Sequence, residues 1–365
     1  MASNNSSVTT AAPDPYAGVW NGRSDAALSV IGIILFLICV WTVFGNILVI
    51  LSPLTNRKLR NVSNYFITSL AIADTLLGIT VLPFSAIYEL RRVWDLGVVF
   101  CNIYVASDVF LCTASMLSLF AISVDRYLAI SDPFSYHERM TRTKAMIFIL
   151  VLWLISLLIS FIPVHVGWNT SNGEVQNYDN KYQCGLATNL VFSLIDGILL
   201  FFLPLIVMCV IYIRVLLIAR EQARKINALN VNLNRGEGSK NRSAVDEHKA
   251  TKVLAVVMGC FVICWVPYFM QFTFSELAGW KLSHDAYSVL LWLGYINSSI
   301  NPVLYALLNT EYRKAFKRLV CCCCSDDSER KRWEYSSDTG ELVRKKTLKT
   351  VSGDISMAEN RKAET

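Results

Sequence analysis

Seven stretches of this chain run apolar for 20 residues or more: 26–51, 65–88, 98–124, 145–164, 190–213, 253–274 and 286–308. A helix needs about 17–25 such residues to cross a bilayer. Within lipid every backbone amide must be satisfied internally, so unbroken apolar runs of this length read as spanning helices. The predicted fold class is therefore an all-α membrane protein, a seven-transmembrane helix bundle with a short amphipathic cytoplasmic helix. Composition agrees, with 54% of the 365 residues hydrophobic and 17% charged, well away from the soluble norm. Residues 1–25 form an expected extracellular segment, 26–308 the bundle, 309–320 an amphipathic surface helix, and 321–365 a palmitoylated, disordered cytoplasmic tail. "MASNNSSVTTAAPDPYAGVW" lacks a basic n-region and an apolar h-region, so the first span is expected to serve as the insertion signal.

Loop charge sets the orientation. Of the 34 Lys and Arg, five fall in the N-terminal segment and the loops after the second, fourth and sixth spans, and 29 fall on the other side. The positive-inside rule puts the N-terminus outside and the tail in the cytoplasm. The net charge of +6 is then a topology signal and not a nucleic-acid footprint. Cys101 and Cys184 are the two cysteines at the outer side, where oxidising conditions favour a bridge between them. Cys321, Cys322, Cys323 and Cys324 follow the basic stretch "TEYRKAFKRLV". Four adjacent residues make a poor tetrahedral metal site, and palmitoylation at the inner leaflet is the expectation. Asn4, Asn5 and Asn169 head outer glycosylation sequons.

The spans contain three acids, Asp74, Asp108 and Asp196, and no Lys or Arg in their cores. A carboxylate at a helix centre costs about 2.5–3.5 kcal/mol on insertion scales, so each is expected to face the bundle interior. The compensating charge is then a proton, a metal ion or a cationic ligand. Asp108 and Asp196 both lie about two turns from the outer side and are expected to line one cavity. Asp74 lies deeper, level with Ser115, Asn297, Ser298 and Asn301, a set suited to a small cation such as Na⁺ or to a water network. No other cofactor is implied. Arg126 follows Asp108 by 18 residues, five helical turns or roughly 27 Å, so both share one face of the third span. Pro204, Pro267 and Pro302 interrupt three successive spans and are candidate hinges or static kinks. A cation channel or transporter would need a continuous polar path, which the first, fourth and sixth spans do not offer. The odd span number and the absence of a repeat argue against duplicated transporter halves. No clustered histidines suggest an enzyme; His165 and His284 stand apart at the outer edge.

The ordered set "GN" at Gly45–Asn46, "LAIAD" ending at Asp74, Cys101, "DRY" at 125–127, Trp153, Cys184, Pro204 with Tyr212, "FVICWVP" at 261–267 and "NPVLY" at 301–305 resembles the rhodopsin-like G-protein-coupled receptors. Within them the chain looks like the biogenic-amine receptors, nearest the subtype-two histamine branch through "LPFSAIY", "FCNIY", "LCTAS", "LIDG", "EHKAT" and "VMGCFVICWVPYF". The resemblance implies a plasma-membrane receptor for a small cationic amine, either histamine or another amine or diamine. It implies a ligand site at Asp108, Val109, Cys112, Asp196, Leu200, Trp265, Tyr268, Phe269, Phe272, Trp292 and Tyr295. Leu200 departs from the branch, which carries a threonine there. The activation switch implied comprises Asp125, Arg126, Tyr127, Tyr212, Glu247, Pro267, Pro302 and Tyr305, with Arg126 and Phe134 as G-protein contacts. The implied partners are the stimulatory heterotrimeric G protein acting on adenylate cyclase, receptor kinases and arrestin.

Overall fold

A computed structural model describes residues 24–176, 183–232, 241–280 and 282–321. Asn4, Asn5, Cys322, Cys323, Cys324 and the side chains of Phe134 and Glu247 lie outside the described residues. The elements are all helical: α1 (Asp25–Thr55), α2 (Val62–Arg91), α3 (Val98–Ser131), α4 (Arg142–Val166), α5 (190–232), α6 (Asn241–Ala278), α7 (His284–Leu308) and α8 (Thr310–Val320). Six of them are long and apolar enough to cross a membrane. The seventh spanning helix, α7, is the most polar, carrying Asn297, Ser298, Ser299 and Asn301 on its buried side.

The helices start where their capping residues predict. Ser24, Asn61, Thr141, Asn189, Ser283 and Asn309 each accept a hydrogen bond from a first-turn amide of the helix that follows. Asn61 is thus a cap. A break at Val81, two residues before Pro83, divides α2; the proline ring cannot share space with the carbonyl one turn earlier. The short helix Pro133–Arg139 follows α3 directly, with Pro133 in its first turn and the Asp132 carboxylate accepting from the Ser135 amide at 3.3 Å.

The bundle is apolar on its outside and small or polar within. On α1 the buried stripe is Leu35, Cys39, Thr42, Gly45, Asn46, Val49 and Ser52, while Ile33, Phe36, Leu37 and Val40 are exposed where lipid would lie. Without a hydrophobic drive between helices in lipid, close backbone approach and interhelical hydrogen bonds supply the association. Gly45 shows this directly: a Cβ there would sit 2.9 Å from the Pro302 ring. Next to it the Asn46 amide donates to the Ser298 carbonyl at 3.0 Å. Trp153 of α4 donates to Ser69 of α2 at 2.9 Å, and Ser69 pairs with Ser118 of α3 at 3.2 Å. At the centre, α3 packs on α2, α4, α5 and α6.

The Cys101–Cys184 bridge forms as expected and ties the top of α3 to the outer loop before α5. That loop corrects one expectation. Asn169 is fully buried; its amide donates to Gln176 at 3.1 Å and to the Ala187 carbonyl at 2.8 Å. A glycan on that nitrogen would replace one of its two N–H donors, and both are in use, so in this structure Asn169 serves the loop as a buried scaffold. His284, expected to stand apart, instead touches Arg92, which also pairs with Glu89 and Asp285. Ser288 of α7 completes this α2–α7 latch by donating to Glu89 at 2.6 Å. At the inner side α8 docks through Tyr312, which is buried, stacks on Tyr305 at 5.3 Å and donates to Asn64 at 3.3 Å. Cys321 follows α8 and is exposed.

The α1–α7 contact gives a first test. Gly45→Val should overpack the Pro302 seam and cost about 1–3 kcal/mol, read as a lowered Tm of the purified protein. Gly259→Ala, where no atom lies within 4 Å of the added Cβ, should not lower it. Equal melting of Gly45→Val and wild type would show that the two helices do not meet there.

Candidate functional site

A cavity holding about 600 Å³ of empty space, its mouth included, opens among α3, α5, α6 and α7 beneath the outer loop. From α3 it takes Asp108, Val109, Cys112, Thr113 and Met116; from α5, Asp196, Leu200 and Phe201. Phe261, Trp265, Tyr268, Phe269 and Phe272 come from α6, Leu291 from α7. Leu186 closes the top, held two residues beyond the disulfide by the Gln176 scaffold, whose side chain bonds Gly185 and Ala187.

The steps 108, 109, 112, 113 and 116 on α3 are the i, i+4 pattern of one helix face. On α5 the local geometry differs. Residues Asp196–Phe202 form a π-helical segment, in which the Leu203 amide bonds the Ile198 carbonyl five residues back. Pro204 follows at once; it has no N–H to offer, and the wider turn takes up the register it disturbs. The wide turn keeps Asp196 and Phe201, five residues apart, on one wall. Gly197 lets α5 approach α6, since a Cβ there would lie 1.8 Å from Thr273 Oγ1.

The polar chemistry is sparse and acidic. Asp108 Oδ2 accepts from the Tyr295 hydroxyl at 2.8 Å, and the Cys112 thiol lies 3.5 Å from Oδ1. Among the described residues no cationic side chain reaches Asp108 or Asp196 within ion-pair distance. The remaining wall is aromatic and aliphatic. Phe201 and Phe269 stack at 3.8 Å, and Trp265 packs against both Phe269 and Tyr295. Such a cavity suits a small ligand with a cationic head, held by a carboxylate and by ring faces.

Nine of the eleven expected ligand residues line the cavity. Tyr295 is fully buried and acts on Asp108 from behind. Trp292 is corrected: it packs edge-on against Tyr295 at 5.5 Å, and Leu291 takes the cavity wall in its place. Sequence reading missed Thr113, Met116, Leu186, Phe201, Phe261 and Leu291; Pro204, three residues after Phe201, and Cys184, two residues before Leu186, were the available signals.

Two further polar centres lie below. Asp74 is fully buried and accepts from Ser115 at 3.1 Å, Ser298 at 2.8 Å and Asn301 at 2.9 Å. Asn297, expected as a fourth partner, does not bond it; both of its polar atoms, Asn301 Oδ1 and the Tyr305 hydroxyl are buried without a protein partner. Hard oxygen donors and a carboxylate with spare lone pairs fit a small cation or ordered water. At the inner end of α3, Arg126 bonds Asp125 Oδ2 through Nε at 3.0 Å and Nη2 at 2.6 Å. Tyr136 of the short loop helix donates to Asp125 Oδ1 at 2.7 Å. This third member of the clamp was missed, although it closes the stretch "ISDPFSY". Tyr127 is exposed and lies outside the clamp. Tyr212 and Tyr305 are buried, and the Tyr305 hydroxyl makes no bond to Tyr212.

Comparison with known proteins places these features in context. The family model for the 7 transmembrane receptor (rhodopsin family) matches residues 45–305. The Histamine H2 receptor of Cavia porcellus is 46% identical over 292 residues, 80% of this chain and 79% of its own. The Histamine H2 receptor of Homo sapiens is 43% identical over 311 residues, 85% and 84% of the two chains. The Alpha-1A adrenergic receptor of Oryzias latipes is 36% identical over 318 residues, 80% of this chain and 66% of its own. This seven-helix, multi-pass plasma-membrane chain belongs to the rhodopsin family of G-protein-coupled receptors.

Proposed function

We propose that the chain is a receptor for histamine that activates the stimulatory G protein and, through it, adenylate cyclase. The observation that carries this reading is the cavity with two carboxylates, Asp108 and Asp196, and no basic side chain among its lining residues. Asp108 is the counter-ion of the ligand's ammonium, and Asp196 on the facing helix accepts from the imidazole N–H. The aromatic wall excludes water and strengthens both contacts. The names of the relatives at 43–46% identity favour the same ligand.

The response follows from a two-state bundle: histamine acts through its preference for the open state. In the described state Arg126 is held by Asp125, itself held by Tyr136. Agonist contacts on α5 and α6 shift α6 at Pro267 and release Arg126, with Phe134 as a second anchor for the G protein; Tyr212 and Tyr305 then close beneath. Glu247, at the foot of α6, is the proposed second partner of Arg126 at rest. Receptor kinases and arrestin would act on the tail, and Cys321 with its three neighbours would carry palmitate. Asp74, with Ser115, Ser298 and Asn301, holds a sodium ion that restrains α7 and so favours the resting state.

Cells expressing the chain and challenged with histamine should raise cyclic AMP. A fall, a calcium signal alone, or no response would overturn the ligand or coupling assignment.

Three variants test the site. Asp108→Asn should weaken histamine binding about 30-fold or more with surface expression kept, because losing one partner of a desolvated charge pair costs roughly 2–5 kcal/mol; near-normal affinity would remove the anchor. Leu200→Thr should raise histamine potency by no more than one hydrogen bond, about 0.5–1.5 kcal/mol, whereas a loss would place the imidazole elsewhere. Replacing Na⁺ in the buffer by an organic cation should raise agonist affinity about fivefold in the wild type. The same exchange should do nothing in Asp74→Asn, and an equal response in both would sink the sodium reading.

A further inference from the structure

A second cavity lies beside the first, between α4 and α5 on the outer half of the bundle, with about 1570 Å³ of space including its open side. Its wall is apolar: Leu158 and Ile162 of α4 face Val191, Ile195 and Leu199 of α5. Each of these is more than a third exposed, on the outer half of two membrane-spanning helices. Two lining residues, Asp196 and Leu200, also line the central cavity. The partition between the cavities is therefore the π-turn of α5, and the Asp196 carboxylate belongs to both sides of it.

Charge and depth say what such a groove accepts. It is lined by two carboxylates, Asp196 and Glu276, and by no Lys, Arg or His. Asp196 stands six residues into α5 from Leu190, roughly 9 Å along the axis. Trp168 lies exposed at the rim, in the manner of an interfacial aromatic. The carboxylates thus sit near headgroup level, and the apolar wall continues down beside the acyl chains. An anionic head would meet two like charges, and a neutral one would gain nothing from them.

We infer that this groove binds a single-chain amphiphilic cation, a lipophilic amine whose ammonium pairs with Asp196 and Glu276 while its chain lies along α4 and α5. The site is reached from the membrane, and it shares the Asp196 carboxylate with the central cavity.

The test uses the full chain in phosphatidylcholine nanodiscs with three twelve-carbon probes bearing a diazirine on the chain: a primary amine, an alcohol and a carboxylate. The amine should label α4 and α5 around Ile159, Ile162 and Leu199 about tenfold more than the other two, the value of one charge-assisted contact. Ile162→Trp, which fills the groove from outside the central cavity, should abolish that excess without changing histamine binding. Asp196→Asn with Glu276→Gln should bring the amine down to the alcohol's level, and it tests the claim even where Ile162→Trp fails to fold. Equal labelling by amine and alcohol in the wild type would show an ordinary lipid-filled seam and overturn the proposal. So would an amine excess that survives the double carboxylate variant.

Discussion

The arrangement of this receptor depends on one constraint: a carboxylate held on α3 within the membrane with no base to neutralise it. Burying Asp108 against apolar and aromatic neighbours is costly, and the Tyr295 hydroxyl answers only one oxygen. On the proposed reading this unmet electrostatic demand is the source of ligand affinity, since an ammonium that enters would restore what desolvation removed. Asp196 on α5 poses the same demand from the other wall. A site built this way favours cations over isosteric neutral molecules without needing a shape that fits them closely.

In the proposed mechanism the same rod carries the response. Asp108 and Arg126 are five turns apart on α3, which packs on four other spans. Between the two ends lies a column of packed rings and buried polar groups. Phe201, Phe269, Trp265 and Tyr295 touch in sequence along the cavity wall and behind it. The Asp74 cluster joins α2, α3 and α7 at mid-depth. The Asp125–Arg126–Tyr136 clamp closes the inner end. Buried polar atoms without protein partners, at Asn297, Asn301 and Tyr305, lie within five residues of Pro302, where an alternative packing has bonds to gain.

Much of this was legible in the sequence, for identifiable reasons. Spanning helices announce themselves by length and hydropathy, and their caps by single residues such as Ser283 and Asn309. Acids on α3 kept strict helical spacing, so Asp108 and its neighbours fell where the period put them. Reading failed where local geometry left that period. The π-turn of α5 brought Phe201 onto the wall with Asp196, a five-residue step that an α-helical count puts elsewhere. Trp292 and Tyr295 were expected to share the wall, but Tyr295 fills the space between Trp292 and Asp108, and Leu291 faces the cavity. Asn169 carried a glycosylation pattern whose burial no triplet can reveal. Tyr136 was hidden because its partner, Asp125, lies across a helix break made by Pro133.

The central claim is that charge recognised at Asp108 is converted into movement of α6 away from Arg126. Spin labels at Ser131→Cys and Val256→Cys, both on exposed positions of α3 and α6, would report the separation of the two helices by double electron–electron resonance. Saturating histamine should lengthen that distance by roughly 5 Å, the scale of a one-turn displacement, and should leave it unchanged when Asp108 is replaced by Asn. A distance that ignores histamine in the wild type, or that lengthens equally in the Asp108→Asn variant, would contradict the account.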